Sequence, residues 1–215
     1  MKKEELLIFG SGSLARLAYY YARYEMQRKV LAFIVDESYK SINEWDGIPV
    51  ISWESGLRKY GTDYAEIFVA VGYKSLAAKQ TLFERAKDAG FSFASIIANS
   101  AYVAKTSVVG ENNFLMPTTV VEPGVRLGHN NVLWSGSIVC HDTKINNHNF
   151  IAANVTLGGE VRVDCRCFFG FGATVTERLN IASDVVVGAN SLMMDDGESY
   201  KRYYGAPAKA VRSEK

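Results

Sequence analysis

From residue 97 onward every sixth residue is apolar. Ile97, Val103, Val109, Leu115, Val121, Leu127, Leu133, Val139, Ile145, Ile151, Leu157, Val163, Phe169, Val175, Ile181 and Val187 succeed one another without a slip, and Met193 continues the series. Four residues after each stands a second position, from Ala101, Ser107 and Asn113 to Val185 and Ser191, that is small in nearly every case. A six-residue period with one large and one small inward position is neither helical nor a simple alternation. It predicts a parallel β-helix with three short faces and 18 residues per coil. Unbroken register over about a hundred residues leaves no room for a long loop.

Residues 1–96 read differently. Apolar runs at Leu6–Phe9, Val30–Val35, Ile48–Ile51, Glu66–Val71 and Phe93–Ile97 are separated by helical stretches at Leu14–Met26 and Ser75–Ala89. This is a βαβ series, which predicts a Rossmann-like parallel sheet. The expected organisation is therefore an α/β domain over 1–96 followed by a β-helix domain with a C-terminal tail over 97–215.

Composition excludes several function classes. The 24 basic and 23 acidic residues leave a formal charge of +1, too little to bind a phosphate backbone or anionic lipid, so neither nucleic acid nor membrane is an expected partner. No apolar run has the length of a membrane span, and the opening Met1-Lys2-Lys3-Glu4-Glu5 precedes an apolar stretch too short for a secretory leader. The cytoplasm is the expected compartment. Cys140, Cys165 and Cys167 form an odd set without metal-type spacing, which predicts free structural thiols.

The 18-residue coil turns sequence into vertical neighbours, since residues 18 apart stack about 4.8 Å from one another. Asn113, Asn131 and Asn149 then form a ladder, and Asn112, Asn130 and His148 beside it mark a tight corner, because Asn and His tolerate positive φ. That gives His148 a structural role. His141 has a different column, with Pro123 below and Gly159 above, and Asp142 follows it. A corner histidine oriented by an adjacent carboxylate, with a glycine one coil away leaving room for a substrate, has the make-up of a general base.

These motifs together resemble the NeuD/PglD-type sugar acyltransferases: a Gly-rich first turn in a Rossmann-like domain, a hexapeptide β-helix carrying Ser137-Ile138-Val139-Cys140-His141-Asp142, and a closing Gly205-Ala206-Pro207-Ala208-Lys209. The resemblance implies that the β-helix is left-handed and that the enzyme is a homotrimer with sites in the clefts between neighbouring β-helices. It also implies an acetyl-CoA-dependent N-acetyltransferase acting on a nucleotide-linked amino sugar, with His141 as base, Asp142 as its partner and no metal. Leu157-Gly158-Gly159 resembles the turn whose amide contacts the acetyl carbonyl, making Gly159 a cofactor contact; Gly205, Pro207 and Lys209 would line the CoA groove. The nucleotide would lie against Gly10, Ser11, Gly12 and Ser13, near Asp36 and Glu37, with Gly72, Tyr73 and Lys74 as a second contacting turn.

The chain departs from the family pattern at three places. Leu14-Ala15 stands where relatives often carry His-Gly, Phe150 where a second histidine is common, and Trp134 where a small polar residue is usual. A sugar O-acetyltransferase would use the same base. Two other classes remain open at this level: a zinc hydratase with His129, His141 and His148 as ligands, and a non-enzymatic β-helix scaffold.

Overall fold

The computed structural model describes residues 4–72 and 74–211. Two compact units divide the chain, Met1–Ile96 and Ile97–Lys215.

In the first unit, β1 (Glu5–Phe9), β2 (Lys29–Val35), β3 (Glu44–Trp45), β4 (Ile48–Ser52) and β5 (Glu66–Val69) form one sheet in the order β3-β4-β2-β1-β5. All neighbours are parallel except β3 and β4. The helices are α1 (Ser13–Tyr20), extended by a π-helical turn at Tyr21–Glu25, α2 (Trp53–Tyr60) and α3 (Leu76–Asp88). Both expected helices are present. The central parallel strands are buried, Leu6 to Phe9 and Ala32 to Val35 being nearly inaccessible, while β4 toward the edge is half-buried, as befits a parallel sheet.

Three local features differ from the expectation. Glu44–Trp45 and Ile48–Ser52 form a hairpin around Asp46-Gly47, whose φ values of 51° and 73° suit a tight turn with both central residues left-handed. Helix α2 occupies a polar stretch that periodicity did not mark. Ser52 caps it by accepting from the Ser55 N–H at 3.3 Å, and Gly56 packs so closely on Ile34 that a Cβ there would lie 2.8 Å from Ile34 Cδ1. The run Phe93–Ile97 is not a fifth long strand. Phe93 makes a single parallel bridge to Ile67, whereas Ile96–Ile97 already pairs in the hexapeptide register with Phe114–Leu115. Hexad spacing governs these residues before the α/β pattern can complete a strand.

The second unit is the parallel β-helix that the period predicts. Each hexad contributes a two-residue strand whose second member is the inward aliphatic, from Tyr102–Val103 through Leu192–Met193. The strands stack into three parallel sheets with an 18-residue step, as in Val120↔Ile138↔Thr156, Arg126↔Lys144↔Arg162 and Val132↔Phe150↔Phe168. The inward aliphatics from Leu115 to Met193, with the small residues between them, form one continuous core. Full burial of each large one stabilises the fold by about 1.5–3 kcal/mol.

Side chains finish the corners. The Oδ1 atoms of Asn113, Asn131 and Asn149 accept the backbone N–H of Asn131, Asn149 and Cys167 at 2.9, 2.9 and 2.7 Å. Asn112, Asn130 and His148 have φ of 54°, 57° and 67°. Asn112 Nδ2 donates to Asn130 Oδ1 at 2.8 Å and Asn130 Nδ2 to His148 Nδ1 at 2.9 Å. The last coil is closed by the antiparallel strands Arg202–Tyr204 and Lys209–Val211.

Candidate active site

His141 sits on the corner between the strands Ile138–Val139 and Lys144–Ile145, with 58% of its side chain exposed. The corner is built by backbone geometry. Asp142 adopts a φ of 59° and donates its N–H to Pro123 O at 3.1 Å, while His141 O accepts from Glu160 N at 2.9 Å. The imidazole Nδ1 meets Asp142 Oδ2 at 3.0 Å. On the other side the ring lies against Gly159, where a Cβ would come within 2.6 Å of Nε2. Gly124, one coil below Asp142 and at φ 78°, likewise leaves the space that the Asp142 carboxylate fills.

Electrostatics favour a strong base. Hydrogen bonding to Asp142 is the largest cause lifting the His141 pKa above its ordinary 6.5; desolvation, next in size, opposes it, and the charges of Asp142, Glu122 and Glu160 add to the rise. Glu122 is the residue that the sequence reading missed. It stands 18 residues before Cys140, so the stacking arithmetic could have found it, and its Oε2 accepts the His141 backbone N–H at 2.8 Å.

The Cys140 and Cys167 thiols are poor nucleophiles. Burial and the nearby Glu122 push the Cys140 pKa up, and burial takes Cys167 to about 12. The other two histidines have structural partners: His129 Nδ1 accepts the Glu111 N–H at 3.0 Å, and His148 belongs to the buried corner ladder. Among the described residues no group of three or more His, Cys, Asp or Glu side chains is gathered for a metal. Beside the corner lies a concavity of about 770 Å³ lined by Arg126, Lys144 and Arg162, together with Asp142, Glu160 and Arg178.

A second constellation lies wholly within the first unit, at the carboxyl ends of β2, β1 and β5, the edge where open α/β sheets hold ligands. Gly10 (φ 126°) lies so close to the end of β5 that a Cβ would sit 2.8 Å from Ala70 O, and its N–H donates to Ile34 O at 2.7 Å. Ser11, Gly12 and Ser13 lead from it into α1. Asp36 and Glu37 follow β2, and Gly72 and Lys74 follow β5; Tyr73 lies outside the described residues. Asp36 is ion-paired to Arg85 of α3, whose guanidinium stacks over Trp53 at 4.4 Å. No sequence signal marked Arg85.

Gly205, Pro207 and Lys209 are not gathered with His141. They lie in the closing hairpin, where Gly205 O accepts from Leu192 N at 2.9 Å and Gly205 N donates to Ser191 Oγ at 3.1 Å. Leu192 is three 18-residue steps beyond Ile138, about 15 Å along the helix at one strand spacing per coil.

Comparison with known proteins agrees with this architecture. The bacterial transferase hexapeptide (six repeats) family matches residues 106–141. An acyl-[acyl-carrier-protein]–UDP-N-acetylglucosamine O-acyltransferase from Sinorhizobium fredii is 29% identical over 154 residues, 68% of this chain and 56% of that protein, so the chain spans little more than half of that relative's length. The perosamine N-acetyltransferase of Caulobacter crescentus, solved as its H141N variant with CoA and GDP-perosamine, superposes with a TM-score of 0.89 at 25% identity over 97% of both chains. The acetyltransferase domain of PglB from Neisseria gonorrhoeae, solved in complex with acetyl coenzyme A, shares the fold with a TM-score of 0.87 at 22% identity, covering 97% of this chain and all of that domain. With the six-residue repeat unbroken and the two-unit architecture matched along nearly its whole length, the chain has an α/β unit followed by a left-handed hexapeptide-repeat β-helix, and it is similar in this to sugar acyltransferases of the NeuD/PglD type.

Proposed function

We propose that the protein transfers the acetyl group of acetyl-CoA to the amine of a nucleotide-linked amino sugar. The observation that carries this reading is the His141 corner: an exposed imidazole, held through Nδ1 by Asp142 and seated on Gly159. The crystallised relative with bound CoA and GDP-perosamine supports the same pairing of substrates.

In this scheme the neutral His141 accepts a proton at Nε2 as the amine attacks the thioester carbonyl. Asp142 keeps Nδ1 protonated and favours the imidazolium that forms. The tetrahedral intermediate then expels CoA thiolate, which takes the proton back from the imidazole. No bond to the protein forms at any stage, consistent with the raised pKa of the Cys140 thiol beside the base. Among the described residues the flanking Gly158 and Glu160 N–H groups donate to Val175 O and His141 O, while no backbone acceptor takes that of Gly159. Directed at the developing oxyanion, such a donor contributes about 3 kcal/mol.

An amine is favoured over a hydroxyl by the charge around the base. Glu122, Asp142 and Glu160 surround His141 with negative charge, which draws in a sugar amine that is a cation in solution; it gives that proton to solvent and attacks as the neutral amine, whose remaining proton His141 takes. Gly10 to Ser13, Asp36 and Glu37 would hold the nucleotide, and the closing turn with Gly205, Pro207 and Lys209 would contact CoA. The active form would be a homotrimer.

The deciding experiment screens nucleotide-linked amino sugars, and their hydroxyl analogues, for thiol release from acetyl-CoA. The proposal expects saturable release with an amino sugar and an acetamido product. Release with hydroxyl analogues alone would replace N- by O-acetylation, and no release with any of them would favour a scaffold.

A further inference from the structure

His141 is fixed from three directions, two of which the reading above already uses. The third is its own backbone. Among the described residues no carbonyl of the ladder takes this N–H: the neighbouring Cys140 and Asp142 N–H groups donate to Leu157 O and Pro123 O, and Gly159, one coil later, packs against the imidazole. Glu122 fills the gap by reaching up one coil, its Oε2 accepting the His141 N–H at 2.8 Å. A carboxylate bound to a backbone amide makes a charge-assisted bond, stronger than the neutral bonds of the surrounding ladder. The remainder of Glu122 is anchored by its backbone, whose N–H donates to Val139 O at 3.0 Å and whose carbonyl accepts Ser107 Oγ at 2.6 Å.

We propose that Glu122 is a positioning residue for the base, holding the His141 backbone in the corner while its negative charge favours the protonated imidazole formed during the transfer. This rests on the reading of His141 as general base. The charged and titratable groups around the imidazole are Asp142, Glu122, Glu160 and the Cys140 thiol, with Glu160 partly neutralised by Arg178 at 3.2 Å. Asp142 acts through Nδ1 and Glu160 is shared with Arg178, so Glu122 is the carboxylate that combines charge with a grip on the backbone.

Two substitutions separate its two roles. Glu122→Gln keeps an oxygen that can accept the amide N–H and removes the charge; Glu122→Ala removes both. With only three histidines in the chain, the imidazole of His141 can be followed by NMR across pH, assigned by its absence in His141→Asn. Both Glu122 variants should lower its pKa, by about half a unit for the loss of one well-solvated charge, and the acidic limb of kcat/KM should move with it. Glu122→Ala alone should also lower kcat, by about ten- to a hundredfold. An unshifted imidazole in Glu122→Gln overturns the proposal, whatever the activity. So does a kcat within twofold of wild type in Glu122→Ala, provided His141→Asn is inactive. If His141→Asn keeps its activity, the general-base reading fails instead, and the NMR shift still decides whether Glu122 tunes the histidine.

Discussion

Gly159 and His141 occupy adjoining coils in one column, and the imidazole rests where a side chain at 159 would have to be: a Cβ there would come within 2.6 Å of Nε2 and 2.8 Å of Cε1. The glycine is thus the wall of the site on the side of the coil above. Gly159→Ala should leave the β-helix folded, because the ring is exposed and can swing away, but should displace the base and lower kcat by about a hundredfold. Steady-state kinetics with a thermal melt checks this; full activity in a folded Gly159→Ala protein would show that the ring position is not required.

The raised pKa of His141 fixes the pH dependence. The imidazole must be neutral to accept a proton, so kcat/KM should rise with pH through an acidic limb centred above 6.5. Asp142→Asn removes the largest cause of the shift and should move the limb to lower pH while reducing kcat. A limb centred at or below 6.5 in the wild type, or one unmoved in the variant, would contradict the assignment of Asp142.

His148 serves as an internal control. It is buried, and its Nδ1 accepts from Asn130 Nδ2 within the corner ladder. His148→Ala should destabilise the protein by about 1–3 kcal/mol, the cost of removing one partner of a buried hydrogen bond, while kcat stays within about twofold. Denaturant titration beside turnover measures both.

Most of the second unit was legible in the sequence because each hexad places one aliphatic residue inward, so a single register fixes every strand from Val103 to Met193 and every vertical neighbour. The same arithmetic placed Gly159 over His141 and read the Asn130–His148 corner. The first unit was less transparent. Strands β1, β2, β4 and β5 announced themselves as apolar runs, but α2 carries Gly56 at a position chosen for its packing on Ile34, which hides its helical period. The pairing of Asp36 with Arg85 joins residues 49 apart, and no local pattern reports such a contact. Phe93–Ile97 was misread because a short apolar run cannot say which of two sheets it will join.

Asp36 tests the nucleotide. It stands at the carboxyl end of β2, where Arg85 holds its carboxylate. If it contacts a part of the substrate that does not change in the reaction, Asp36→Ala should raise KM for the nucleotide-linked sugar at least tenfold with little loss of kcat. Unchanged KM in Asp36→Ala, Glu37→Ala and a variant lacking the Gly10 to Gly12 turn would point to a free sugar instead.

The assembly is open to sedimentation. Tyr102, Val120, Ile138, Thr156, Thr174 and Leu192 stack outward on one sheet of the β-helix, and Tyr102 is 57% exposed. Flat faces of this kind close in threefold symmetry when copies cover one another. The expected species at micromolar concentration is a trimer; a fully active monomer would contradict it.

The most direct test of the account is turnover in His141→Asn, which keeps a polar side chain at the corner and removes the base. With acetyl-CoA and an accepted nucleotide-linked amino sugar, kcat should fall by about 10²- to 10⁴-fold while acetyl-CoA binding, measured by calorimetry, stays within a few-fold of wild type. A folded His141→Asn protein that turns over within a few-fold of wild type would contradict the central claim that this imidazole is the base.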